Sequence, residues 1–219
     1  MDLGKGLHSS QSHVLLREWQ SKGSTTFSPI DFVLPLFVAI EDNMKEPVDG
    51  FPEVYRMGIN ATIDYLRPLV KMGLRSVLLF PVIDREDKAL EQALDDKINP
   101  ILKAVPRLKQ EFPDLYIICD VCLCIFSPIA HCCVFLDDER IDYKRTLAMV
   151  SAIVVKYAEV GAQCIAPSGM IDGRVAAIRR ALDATDYKAV SIMSYSAKYR
   201  CKTNPVFAGA TGRARQMDR

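Results

Sequence analysis

The sequence predicts an α/β fold built on a parallel sheet, and three observations predict it. Short, almost wholly apolar runs recur along the chain, each the length of a strand buried on both faces. Segments with apolar residues at helical spacing separate them. The order is strand then helix, repeated, which calls for parallel βαβ units. An open doubly wound sheet and a (β/α)8 barrel both satisfy that order. Five strands fit the first and underfill the second.

Residues 1–30 are mixed in character, with Ser and Thr clusters and one apolar stripe of Val14, Leu15, Leu16 and Trp19, and are expected to form an arm outside the main core. Phe32 to Ile40 is the first strand, although Pro35 removes one ladder donor. A polar, proline-containing loop follows. Asn60 then caps a helix carrying Ile63, Leu66 and Val70 on one face, with Pro68 expected to kink or shorten it and Gly73 ending it. Leu74 to Ile83 is the second strand, and Asp84 to Lys97 a charged loop.

Asn99-Pro100 starts the next helix in the favoured order of cap then proline, and it ends near Phe112. Leu115 to Leu123 is the third strand. Val150, Ile153, Val154 and Tyr157 mark one face of a long helix from about Asp142 to Val160, stopped by Gly161. Cys164 to Ala166 is a short fourth strand. Asp172 opens a helix that turns Val175, Ile178 and Leu182 inward, and Ala189 to Met193 is the fifth strand. The β/α domain thus covers residues 31–199, and residues 200–219 show no further strand pattern and read as a loosely ordered tail.

Composition narrows the function without choosing it. Across 219 residues, 28 Lys plus Arg stand against 27 Asp plus Glu, so the strong positive field that phosphate-backbone binding needs is missing and no nucleic-acid partner is expected. The first twenty residues hold no signal-type apolar core, and nowhere do about 18 uninterrupted apolar residues occur. A cytosolic protein with no membrane contact is expected.

Five of the seven cysteines, Cys119, Cys122, Cys124, Cys132 and Cys133, fall within fifteen positions, which points to metal or chemistry rather than to cross-links. With the third strand ending near Leu123, strand alternation puts Cys122 and Cys124 on one side, and the following loop can fold back to present His131 or Cys132. Three soft ligands with an open fourth position suit a catalytic Zn2+. The alternative is a set of small buried core residues, the role expected for Cys164. Asp120 beside the cluster can act as acid or base, or serve as a hydrogen-bonded support.

Ser194-Tyr195-Ser196-Ala197-Lys198 follows the fifth strand, at the end where parallel α/β folds place their sites. A desolvated lysine there would attack a carbonyl as the neutral amine; spacing alone equally fits a solvated loop lysine. In Ala166-Pro-Ser168-Gly-Met-Ile-Asp172, Ser168 could face a ligand and capping alone explains Asp172.

Leu7-His-Ser-Ser10, Leu16-Arg-Glu-Trp-Gln20, Leu66-Arg-Pro-Leu-Val70, Cys119-Asp-Val-Cys-Leu-Cys124, Ala166-Pro-Ser168, Met170-Ile-Asp-Gly-Arg-Val175 and Met193-Ser-Tyr-Ser-Ala-Lys198 together resemble the 5-aminolevulinate dehydratase (porphobilinogen synthase) family in order and spacing, over residues 7 to 199. The resemblance implies a TIM (β/α)8 barrel, here an incomplete one of about five β/α units, with an N-terminal arm that embraces a neighbour in a homo-oligomer. It implies condensation of two 5-aminolevulinate molecules to porphobilinogen. Cys122, Cys124 and Cys132, with His131 nearby, match the zinc-type site, Lys198 a Schiff-base lysine, Asp120 a pocket residue, and Ser168 and Tyr195 substrate contacts. The family's second Schiff-base lysine and last barrel strands lie beyond this chain, the lid segment is replaced by Asn204-Pro-Val-Phe-Ala208, Arg213 and Arg215 have no lid counterpart, and Gly169 stands where the family has an acid. A second expectation therefore stands beside the enzyme: a catalytically defective truncated form that acts only by assembly with full-length subunits or is non-functional.

Overall fold

The computed structural model describes residues 8–21, 23 and 27–197. Its sheet has seven strands: β1 (Val33–Val38), β2 (Lys45–Pro47), β3 (Tyr55–Met57), β4 (Ser76–Pro81), β5 (Tyr116–Val121), β6 (Cys164–Pro167) and β7 (Ser191–Ile192). The helices are α1 (Val14–Ser21), α2 (Ile59–Lys71), α3 (Ile101–Glu111), α4 (Tyr143–Glu159) and α5 (Arg174–Asp183). Among these residues no helix is long and apolar enough to cross a membrane.

Strand order decides between the two expected architectures. Across the sheet it runs β2-β3-β1-β4-β5-β6-β7, with every pair from β1 to β7 parallel. A doubly wound sheet reverses its order at a switch point. Here β1, β4, β5, β6 and β7 follow chain order without reversal, as successive staves of a barrel do. The sheet does not close, so the fold is an incomplete (β/α) barrel.

Strand alternation gives the sheet two faces. Leu36, Val38, Val77, Leu79, Ile117, Cys119, Val121 and Ile165 point to the side covered by α2, α3, α4 and α5, whose Leu66, Val105, Leu108, Val154, Tyr157, Ile178 and Leu182 complete the main core. Ile117 is fully buried at its centre. Ile117→Ala is expected to cost about 2–5 kcal/mol through lost burial and the cavity left, read as a lower urea midpoint at unchanged slope.

The other face, the interior of a closed barrel, is covered differently. Phe37 and Phe80 pack with Val48 near one end. At the N-terminal ends of the strands, Tyr116, Ile118, Cys164 and Ala166 pack against Leu15 and Leu16 of α1. The described part of the expected arm thus docks in a small cluster of its own, apart from the main core. Two buried leucines on one face of a short helix are enough to dock it, and Trp19 Nε1 anchors it further by donating to the Ile30 carbonyl at 2.8 Å.

Local signals held in most places. Asp142 caps α4 by accepting from the Arg145 amide at 2.9 Å, and Gly161 leaves the helix with φ of +102°, a conformation glycine adopts without steric cost. Asn99 accepts from the Ile101 amide at 3.1 Å, so the Asn-Pro start works as expected. Four expectations need correction. Gly58, not Asn60, flanks α2, because the Asn60 side chain is drawn away to Arg107 and Asn43. Pro68 sits inside α2, which still runs to Lys71. Gly173, at φ +75°, precedes α5 where Asp172 was expected to cap it, and Val175 on that helix is exposed.

His13 gives the docked arm a pH dependence. Its Nδ1 accepts from the Leu15 amide at 3.2 Å, and its ring lies 4.6 Å from that of Tyr116. Burial, and then the Arg17 charge, lower its pKa below the ordinary 6.5, while Asp114 and Glu18 pull weakly the other way. Above about pH 6.5 the ring is neutral whether α1 is docked or free. As pH falls below that value the free arm takes up a proton that the docked arm refuses, so docking weakens. Trp19 is the single tryptophan, and its emission is expected to shift red between about pH 7 and 5; His13→Asn should flatten that response.

Candidate functional site

The C-terminal ends of β5, β6 and β7 form one rim. Along β5 the interior side chains are Tyr116, Ile118 and Asp120, and Asp120 pairs across to Ala166 of β6, with 2% of its surface exposed. Ser168 follows β6 by one residue, and its amide donates to the Val121 carbonyl at 3.2 Å, which ties the end of β6 to that of β5. After β7, the Met193 amide donates to the Ile165 carbonyl at 2.9 Å and the chain continues through Ser194 and Tyr195. The ends of three neighbouring strands thus bring Asp120, within β5, and Ser168 and Tyr195, in the segments after β6 and β7, to the same end of the sheet.

Just beyond β5 the chain tightens into a 3-10 turn over Leu123–Ile125. Cys122 and Cys124 are not two strand residues on one side, as alternation suggested; the turn brings them together. Their sulfurs lie 2.8 Å apart, and Cys132 Sγ, returned by the following loop, is 3.2 Å from Cys122 Sγ. Cys122 and Cys124 are buried and Cys132 is partly buried. Hydrogen bonding to Cys124 and then Cys132, followed by burial, pushes the Cys122 thiol well above its usual range.

His131 is not part of this group. It is exposed, and its ring meets Phe135 edge-on at 5.2 Å. Among the described residues, the set able to hold a metal ion is Cys122, Cys124 and Cys132, all within 4.8 Å of one another. That donor set fits: sulfur ligates a soft or borderline divalent ion at about 2.3 Å, and three sulfurs this close need shift by less than about an ångström to share one. The ion's charge also stabilises the thiolates that burial disfavours. Gly169 lies over the trio, where a Cβ would stand 3.8 Å from Cys122 Sγ and 3.8 Å from the Cys132 Cβ.

Partial burial raises the Tyr195 hydroxyl above the ordinary tyrosine range, and the Asp120 carboxylate pushes it the same way, although the residue as a whole stays exposed. Ser168, next to the Gly169 that lies over the sulfurs, and Tyr195, just after Met193, stand at the same end of the sheet as the trio. Lys198 lies outside the described residues, as do Cys201 and the expected tail. Cys119 and Cys164 are buried core residues, Cys119 on the helix side and Cys164 against α1. Sequence reasoning did not single out Arg174. Its Nη2 reaches the Tyr195 carbonyl at 3.3 Å and Ser194 Oγ at 3.5 Å.

Strand order and sulfur cluster together define an incomplete (β/α) barrel protein with three cysteines able to hold a metal ion at the C-terminal rim of its strands. A family model described as delta-aminolevulinic acid dehydratase matches residues 5–219, and the chain belongs to that family. It is 41% identical to the Candida glabrata delta-aminolevulinic acid dehydratase over 196 residues, covering 88% of this chain and 57% of the relative. With the Schizosaccharomyces pombe protein of that name it is 37% identical over 221 residues, covering 100% and 67%. The bovine protein of that name is 38% identical over 195 residues, covering 88% and 59%. The solved Toxoplasma gondii delta-aminolevulinic acid dehydratase (porphobilinogen synthase), in complex with its reaction product porphobilinogen, matches with a TM-score of 0.81 and 26% identity over 95% of this chain and 59% of that one. The chain thus spans roughly three fifths to two thirds of the length of these proteins.

Proposed function

We propose that this chain carries the metal-side half of a porphobilinogen synthase site, a lyase that condenses two 5-aminolevulinate molecules. The observation that carries the reading is the convergence of Cys122, Cys124, Cys132, Asp120, Ser168 and Tyr195 on one rim. Family membership, and a structural neighbour solved with its product, support it over a role by assembly alone.

Lys198 follows Tyr195 by three positions and is the candidate nucleophile. Its neutral amine adds to the keto carbon of one substrate; loss of water leaves a C=N bond. Asp120, at the end of β5, is placed to move the proton that this addition and dehydration require. Ser168 and Tyr195 hold the substrate through their hydroxyls. Cys122, Cys124 and Cys132 hold zinc, which when bound supplies Lewis-acid polarisation of a substrate oxygen. His131 contributes at most from outside that group, given its exposed contact with Phe135. Assembly into a homo-oligomer through residues 1–30, and residence in the cytosol, belong to the same proposal.

Borohydride reduction in the presence of 5-aminolevulinate and zinc tests this. An adduct mapping to Lys198 by peptide mass is expected, and Lys198→Ala should abolish it. Failure to trap substrate on the intact chain would remove the catalytic reading.

A further inference from the structure

Arg174 is placed where helix formation alone would not put it. It is the first residue of α5, where a positive charge opposes the helix dipole, and that first turn holds no acidic residue. Among the described residues no carboxylate pairs with its guanidinium, whose Nε is buried without an acceptor. Its remaining nitrogens point elsewhere: Nη1 donates to the Ile171 carbonyl at 3.3 Å, and Nη2 reaches both Ser194 Oγ at 3.5 Å and the Tyr195 carbonyl at 3.3 Å. One planar group thus spans the loop leaving β6 and the segment leaving β7. Neither segment has a ladder partner there to fix it against the other.

We propose that Arg174 is a positioning residue, its guanidinium clamping the segment after β7 so that Tyr195 stands at the rim beside Asp120 and the cysteine trio. The clamp needs a rigid fork with donors on separate nitrogens, which arginine supplies and the single ammonium of lysine does not. The inference deepens the proposed function and rests on it for the statement that Tyr195 meets substrate; the clamp itself rests on the contacts above.

The test uses the full chain labelled with 3-fluorotyrosine. One of the eight tyrosine resonances is assigned to residue 195 by its loss in Tyr195→Phe. In Arg174→Gln the fluorine signal of Tyr195, a residue 39% exposed in the intact chain, is expected to move away from its position in the unaltered chain and to narrow as the segment is released, while the cobalt absorption of the trio stays unchanged. Trapping of 5-aminolevulinate by borohydride should slow about tenfold or more, as misplacement of a contact residue does, and Arg174→Gln combined with Tyr195→Phe should trap no more slowly than Tyr195→Phe alone.

An unmoved Tyr195 signal in Arg174→Gln overturns the clamp. Should the intact chain trap no substrate, the catalytic reading falls, and the fluorine signal still decides the clamp. Should Arg174→Gln fail to fold, Arg174→Lys decides by the same signal: a shift supports the clamp, and none overturns it.

Discussion

Cys122→Ala is expected to abolish the proposed zinc binding. Cys122 is the centre of the trio, 2.8 Å from one partner sulfur and 3.2 Å from the other, so its loss leaves two donors that no longer share a neighbour. Affinity should fall by at least about a hundredfold, more than loss of a supporting hydrogen bond costs such sites. Zinc per chain after dialysis, or the sulfur-to-cobalt absorption band, measures it. Cys119→Ala is the control: that sulfur is buried on the helix side of the sheet and should leave metal content unchanged. Equal zinc in Cys122→Ala and the unaltered chain would remove the trio as a ligand set.

Asp120→Asn is expected to slow substrate trapping by about a hundredfold or more, the usual size of a lost acid-base group. The exchange keeps the side-chain shape in a position only 2% exposed, so the fold and the zinc content should persist. The amide cannot take up and return the proton that carbonyl addition and dehydration pass along. Rates of adduct formation, followed by mass against time, read the effect. Unchanged rates would assign Asp120 to supporting the rim rather than to proton transfer.

The five parallel strands were legible because each is apolar on both faces and stands between helical patterns. The β2 and β3 hairpin was not. Lys45–Pro47 is exposed throughout, carries Lys, Glu and Pro, and has no alternation to betray a strand. It exists because β3 pairs in parallel with Phe37 and Val38 of β1, a long-range backbone fit that side-chain pattern does not encode. The Asn60 cap failed for a similar reason. Asn60 has the right chemistry, yet Arg107 from α3 competes for its oxygen.

At the rim, cysteine spacing announced the trio, and spacing alone left His131 beside it as a further candidate. What separates Cys132 from its neighbour is the path of the returning loop, which turns the His131 ring toward Phe135. Arg174 lay inside a motif of the family resemblance with no sign of its reach, because its partners are a carbonyl and a hydroxyl some twenty residues further on.

The Ser12 hydroxyl donates to the Ala189 carbonyl at 2.8 Å, a contact between residues 177 positions apart, and Tyr116 meets Ser191 close by at 2.6 Å. Contacts of such separation form late, since loop closure must come before any reward. During synthesis, α1 would therefore leave the ribosome long before its seat exists. Until β5 and β6 arrive, Leu15 and Leu16 remain available to other chains, which makes the interval of translation between them and β6 the period in which a nascent-chain chaperone matters most.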